Sequence, residues 1–164
     1  MINSTLKSSM LKTIAVAALC SAFSANLFAA EQTTVIRKGE NASFEGPAEY
    51  FTGKVKVDML FPVAEDVNAS GAYVTFEPGA RSAWHTHPAG QKMVITSGVG
   101  LTQEWGGEIH KLYPGDVLIC PPGVKHWHGA SIDSPMTHLV ITGDLNGKNV
   151  EWMEKVTDEQ YQGH

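Results

Sequence analysis

The chain has 164 residues, enough for one domain and not comfortably two. Its 43% hydrophobic and 18% charged content is ordinary for a folded protein and excludes intrinsic disorder. A net charge of −5 argues against nucleic acid or an anionic membrane surface as an electrostatic partner.

In chain order, residues 1–30 read as a secretory signal. Lys7 and Lys12 precede a short apolar run, Thr13 to Phe23, and small residues follow up to Ala29 and Ala30. The run falls short of the roughly 20 apolar residues that a membrane span requires. Its removal would leave ten basic and seventeen acidic residues, a net charge of −7, in a chain released to the periplasm with no membrane attachment. Cys20 would leave with it, so Cys120 would have no disulfide partner and is expected to fill core space.

Residues 31–164 form the expected single domain. Sixteen glycines and eight prolines punctuate short runs of strand-forming residues. Strands are predicted at 33–37, 53–60, 71–77, 82–87, 92–97, 99–104, 108–112, 116–120, 124–129 and 136–142. Gly106-Gly107 predicts a tight two-residue hairpin, because glycine tolerates the positive φ that such turns require. About ten strands at this spacing predict an all-β sandwich or barrel. Trp152, Met153 and Val156 recur at near-helical spacing, predicting a short amphipathic helix over Val150 to Tyr161 on the barrel's outside.

Two histidine doublets carry the chemistry. His85 and His87 are two apart on a predicted strand and share a face, as do His126 and His128. The turn Pro88-Ala89-Gly90 can return Gln91 towards the first doublet. Four of the seven histidines in the predicted mature chain lie in these doublets, which points to a metal site. Nitrogen and oxygen ligands suit Mn, Fe, Co, Ni, Cu or Zn.

The spacing Gly79-x5-His85-x-His87-x3-Gln91-x6-Gly98 resembles the first cupin motif (residues 79–98). Gly115-x5-Pro121-x-Gly123-x2-His126-x3-Ala130 resembles the second (residues 115–130). The resemblance implies a double-stranded β-helix, or jelly-roll, barrel with His85, His87, Gln91 and His126 around a divalent ion. Gln91 stands where the family usually has glutamate, so the ion would keep its full +2 charge. Ala130 stands where the family usually has asparagine.

The stretches GPAEYFTGKVKVD, VTFEPGARSAWHTHPAGQ, PPGVKHWHGA, MTHLVI and EWMEKVTDEQY narrow the likeness. They resemble the bacterial cupin hydroxynitrile lyases, manganese-dependent enzymes that split (R)-mandelonitrile into benzaldehyde and hydrogen cyanide. Their ligands are three histidines and a glutamine. The resemblance further implies catalytic roles for His128 and His138, a small-molecule substrate and a homo-oligomer. Val74, Phe76, Met93, Trp127, Val140 and Thr142 are among the expected walls of the pocket. Fold and metal site do not fix a reaction. A cupin dioxygenase or related oxidoreductase, and a non-catalytic periplasmic metal- or ligand-binding module, are the competing readings.

Overall fold

The computed structural model describes residues 32–163; the expected signal sequence and His164 lie outside the described residues. In chain order the strands are β1 (Ser43–Glu45), β2 (Phe51–Thr52), β3 (Val55–Phe61), β4 (Ala69–Phe76), β5 (Arg81–Ser82), β6 (His85–Thr86) and β7 (Gln91–Gly98). They continue with β8 (Gly100–Glu104), β9 (His110–Leu112), β10 (Val117–Cys120), β11 (His126–Ala130), β12 (Met136–Gly143) and β13 (Glu151–Trp152), followed by helix α1 (Asp158–Gln162). One sheet runs β1-β3-β4-β12-β7-β10. The other runs β13-β6-β11-β5-β2, with β8 on β11 and β9 on β8. Every strand pair is antiparallel. The all-β expectation holds.

Alternation along β12 decides what lies inside. Met136, His138, Val140 and Thr142 are buried, while Thr137, Leu139 and Ile141 point outwards. The register sets His138 opposite Val74 on β4 and Ile95 on β7. With Phe76, Met93 and Met136 these side chains fill the interior; burying each large one contributes about 1.5–3 kcal/mol. Cys120 is free and buried in the same core.

A second apolar cluster joins Trp84, Leu101, Trp127, Val156 and Tyr161. Trp84 and Trp127 adjoin histidines but face away from them, so Trp127 does not wall the inner pocket as the sequence suggested. The C-terminal segment covers this cluster. Tyr161 Oη donates to the Ala130 carbonyl at 2.7 Å, and the Arg81 guanidinium donates to Val156 O at 3.1 Å and to Asp158 at 2.5 Å.

Several boundaries differ from the sequence reading. Residues 33–37 form no strand: Val35 and Ile36 are exposed and pair with nothing. The run 82–87 breaks into β5 and β6, and the short β1, β2 and β13 were not anticipated. Five residues, 105–109, connect β8 to β9, a longer turn than two glycines implied. The helix expected over Val150 to Tyr161 begins only at Asp158, because β13 pairs with β6 (Glu151 with Thr86, Trp152 with His85). The register of that pairing requires extended backbone. A capping box then starts α1: Thr157 Oγ1 accepts from Gln160 N–H, and the Gln160 side chain accepts from Thr157 N–H. No helix among the described residues is long and apolar enough to cross a membrane.

Gly98 closes the turn between β7 and β8 at φ 76°, and a Cβ there would lie 1.8 Å from the Pro135 carbonyl oxygen. Gly123 has a similar φ of 75° with open space around it. Gly98→Ala is therefore expected to cost about 3 kcal/mol or more, combining backbone strain with overpacking. Gly123→Ala should show the strain alone. Thermal melts of the two variants check this; equal losses would mean that the Pro135 contact costs nothing.

Candidate metal centre

The centre lies between the two sheets. β6 and β11 present His85, His126 and His128 from one side, with His85 directly opposite His126 in the register. His87 follows β6. Gly90, at φ 79°, turns the chain so that β7 begins on Gln91, which belongs to the facing sheet with His138 on β12. All six side chains are buried. Ring centroids lie 4.4 Å apart for His85 and His126, 4.9 Å for His85 and His87, and 5.4 Å for His87 and His126.

Hydrogen bonds fix which atoms face inwards. His85 Nδ1 lies 2.9 Å from Ala83 O, His87 Nδ1 2.6 Å from Asn149 O, and His126 Nδ1 3.0 Å from Val124 O. A carbonyl oxygen only accepts, so each Nδ1 carries the proton and each Nε2 keeps its lone pair. Gln91 Nε2 donates to Thr142 Oγ1 at 3.1 Å, which leaves Gln91 Oε1 as the free end of the amide. Buried His87 Nε2, Gln91 Oε1 and His126 Nε2 have no hydrogen-bond partner. Unpartnered buried acceptors are costly in an apolar interior. Three imidazole nitrogens backed by carbonyls, plus an amide oxygen, are the outer-shell arrangement that holds a divalent ion. The residues present fit such an ion.

Burial also depresses the histidine pKa values. It drives His85 well below its usual range, with His126 and His87 adding to the effect. It lowers His87 to about 4 against the opposing hydrogen bond to Asn149; the His126 pKa is also lowered by burial, against its hydrogen bond to Val124. At neutral pH all three are therefore neutral, the form that ligates metals.

His128 and His138 sit beside this group, with ring centroids 5.0 Å apart and Phe76 packed against both. His128 is 5.2 Å from His85, its Nδ1 has no partner, and burial holds its pKa well below normal. Neither nitrogen of His138 has a partner, and its pKa falls to about 3 through burial.

His138 makes acid stability measurable. The unfolded chain takes a proton at this residue near pH 6.5, while the folded protein resists until about pH 3. In that window the unfolded state binds more protons, so stability falls as pH falls, by about 1.4 kcal/mol per pH unit. His138→Leu is expected to remove about 2 kcal/mol of the loss between pH 6.5 and 5 in metal-free protein. Urea unfolding at the two pH values checks this; an unchanged difference would show that His138 does not resist protonation.

A cavity of about 350 Å³ opens onto His85, His87, Gln91, His128 and His138, within the range of small-molecule sites. Ala72, Val74 and Val140 wall it, with Tyr50, Phe51 and Trp152 at the rim. Trp152 stacks on Tyr50 at 4.8 Å and 11°, and its ring lies 4.9 Å from His85. The sequence placed Val74, Val140 and Thr142 in the pocket, and all three line it. It missed Tyr50, Trp152 and the Asn149 carbonyl, because nothing local relates residues so far apart. A larger hollow of about 750 Å³ lies on the outer face of the first sheet, under residues 36–41, and has no histidine in its lining.

Residues 72–142 match the family model described as a cupin domain. The chain is 54% identical over 125 residues to an (R)-mandelonitrile lyase of Granulicella tundricola, covering 76% of this chain and 95% of the relative. Among solved structures it resembles a cupin-like protein of Thermotoga maritima, with TM-score 0.70, 39% identity and coverage of 80% and 96% respectively. A cupin-2 domain protein of Rhodospirillum rubrum, at TM-score 0.61 and 17% identity over 80% of this chain and 86% of that one, shares the fold.

Proposed function

The chain belongs to the cupin family, and from that premise we propose that it is a manganese-dependent lyase that cleaves and forms cyanohydrins of the (R)-mandelonitrile type. The observation that carries this is the neutral donor set of His85, His87, Gln91 and His126 beside two further unliganded histidines in an apolar cavity. The relative from Granulicella tundricola bears the name of that activity.

Held by these four residues, a divalent ion would supply Lewis-acid stabilisation for negative charge on the cyanide or the oxygen. His128 accepts the hydroxyl proton of the cyanohydrin. It is neutral at working pH, has an unpartnered nitrogen, and its ring centroid lies 5.2 Å from that of His85. His138 orients His128 or the substrate from across the cavity. Ala72, Val74 and Val140 pack against the aryl ring and keep water from the reacting atoms. As the carbon–carbon bond breaks, its electron pair leaves with cyanide and the hydroxyl oxygen becomes the aldehyde carbonyl. The proton on His128 then returns to cyanide.

The N-terminal pattern of residues 1–30 supports export to the periplasm. Tyr73, Val117, Ile119 and Ile141 are exposed on the outer face of the first sheet, and a homo-oligomer would cover them. Benzaldehyde release from racemic mandelonitrile by manganese-loaded protein tests the activity. We expect metal-dependent release that consumes the R enantiomer preferentially. Release no faster than the uncatalysed rate, from protein shown to contain manganese, would refute it.

A further inference from the structure

We propose that His128 is also a competing metal ligand, so that the site holds two overlapping donor sets and the identity of the ion decides whether His128 stays free. This rests on the reading of the cavity as a metal centre. A ring nitrogen from each of His85, His126 and His128 already lies within 4.8 Å of the other two, and all three residues are buried. His87 is not part of that close group. Its Nδ1 is held 2.6 Å from Asn149 O, and the close approach of the other three is one of ring nitrogens, not of ring centres.

The two sets share His85 and His126. One is completed by His87 Nε2 and Gln91 Oε1, both buried without partners. The other is completed by His128 alone. The His128 ring differs from those of His85, His87 and His126 in having no carbonyl behind Nδ1, so no hydrogen bond commits that nitrogen to carrying the proton. His128 can therefore offer a lone pair where the geometry asks for it.

Ion chemistry separates the sets. Manganese accepts oxygen donors and a high coordination number, which matches the set containing the Gln91 amide. Zinc favours four ligands, commonly three protein nitrogens and one open position, which matches His85, His126 and His128. Zinc also binds nitrogen sites more tightly than manganese. A zinc-loaded site would engage the lone pair that His128 needs to accept a proton. The protein would then hold metal and be idle.

Direct binding of each ion to metal-stripped full-length protein tests this, by competition against a chromophoric chelator, with Mn²⁺ and Zn²⁺ measured separately. His128→Ala is expected to weaken zinc at least tenfold and manganese less than threefold, since losing a ligand should cost no less than the roughly 10- to 100-fold that losing an outer-shell partner costs. His87→Ala should do the opposite, weakening manganese at least tenfold and zinc less than threefold. In each variant the unaffected ion reports that the fold is intact. Parallel loss of both ions in either variant, or zinc binding unaltered by His128→Ala, would overturn the proposal. Wild-type protein that binds neither ion would overturn it together with the metal-centre reading. A lyase assay that fails while the two variants separate the ions would leave this inference standing and remove only the lyase.

Discussion

Replacing His128 with alanine is expected to lower kcat for (R)-mandelonitrile about 100- to 10,000-fold, the range associated with a positioned general base. The cavity contains few substitutes. Nδ1 of His85, His87 and His126 is protonated against a carbonyl, and their remaining lone pairs face the metal position. His138 has two unpartnered nitrogens, but it lies on β12 in the facing sheet, 5.0 Å from His128, where its proposed role is to orient. Residual rate should therefore come from substrate positioning alone. KM should change little, because the apolar walls that hold the ring are untouched. The measurement is steady-state kinetics on variant protein with manganese content verified. A fall of less than about threefold in kcat would exclude His128 as the base.

Stripping the divalent ion should reduce turnover about 1,000-fold or more, because stabilisation of developing charge by a bound cation is worth several kcal/mol. Readdition of manganese should restore the rate. His126→Ala should resist that restoration, since His126 belongs to the donor group, opposite His85 in the register and backed by Val124 O. His110→Ala is the control: it is an exposed histidine on β9, remote in role from the cavity. Full activity in chelator-treated protein with no detectable metal would remove the metal from the mechanism. Loss of activity in His110→Ala as large as in His126→Ala would show that the effect is not specific to the site.

The histidine doublets were legible because a strand puts residues i and i+2 on one face, whatever its exact ends. His126 and His128 share the inner face of β11 for that reason, and Trp127 between them is driven to the other side. The Gly90 turn was legible from its residue type, and it delivers Gln91 to the facing sheet. The hydrogen bonds that settle which nitrogen faces inwards were not legible. They come from the backbone carbonyls of Ala83, Asn149 and Val124, and every residue has a carbonyl. The C-terminal helix was overextended for a related reason. Trp152 and Val156 lie four apart, a helical spacing, but Trp152 is held in β13 against His85 while Val156 reaches the cluster beneath Tyr161 through extended chain. Tertiary pairing outweighed a local pattern too short to hold a helix by itself.

The carbonyl of Asn149 that orients His87 lies 62 residues further along the chain. At about 5–20 residues per second, a ribosome makes His85 and His87 several seconds before it makes the group that fixes the tautomer of His87. During that interval His87 lacks the carbonyl that orients it, whereas His85 already has the carbonyl of Ala83 two residues behind it. The carbonyls that lock His85 and His126 are made just before their histidines, so His87 is the donor whose orientation waits for the end of synthesis.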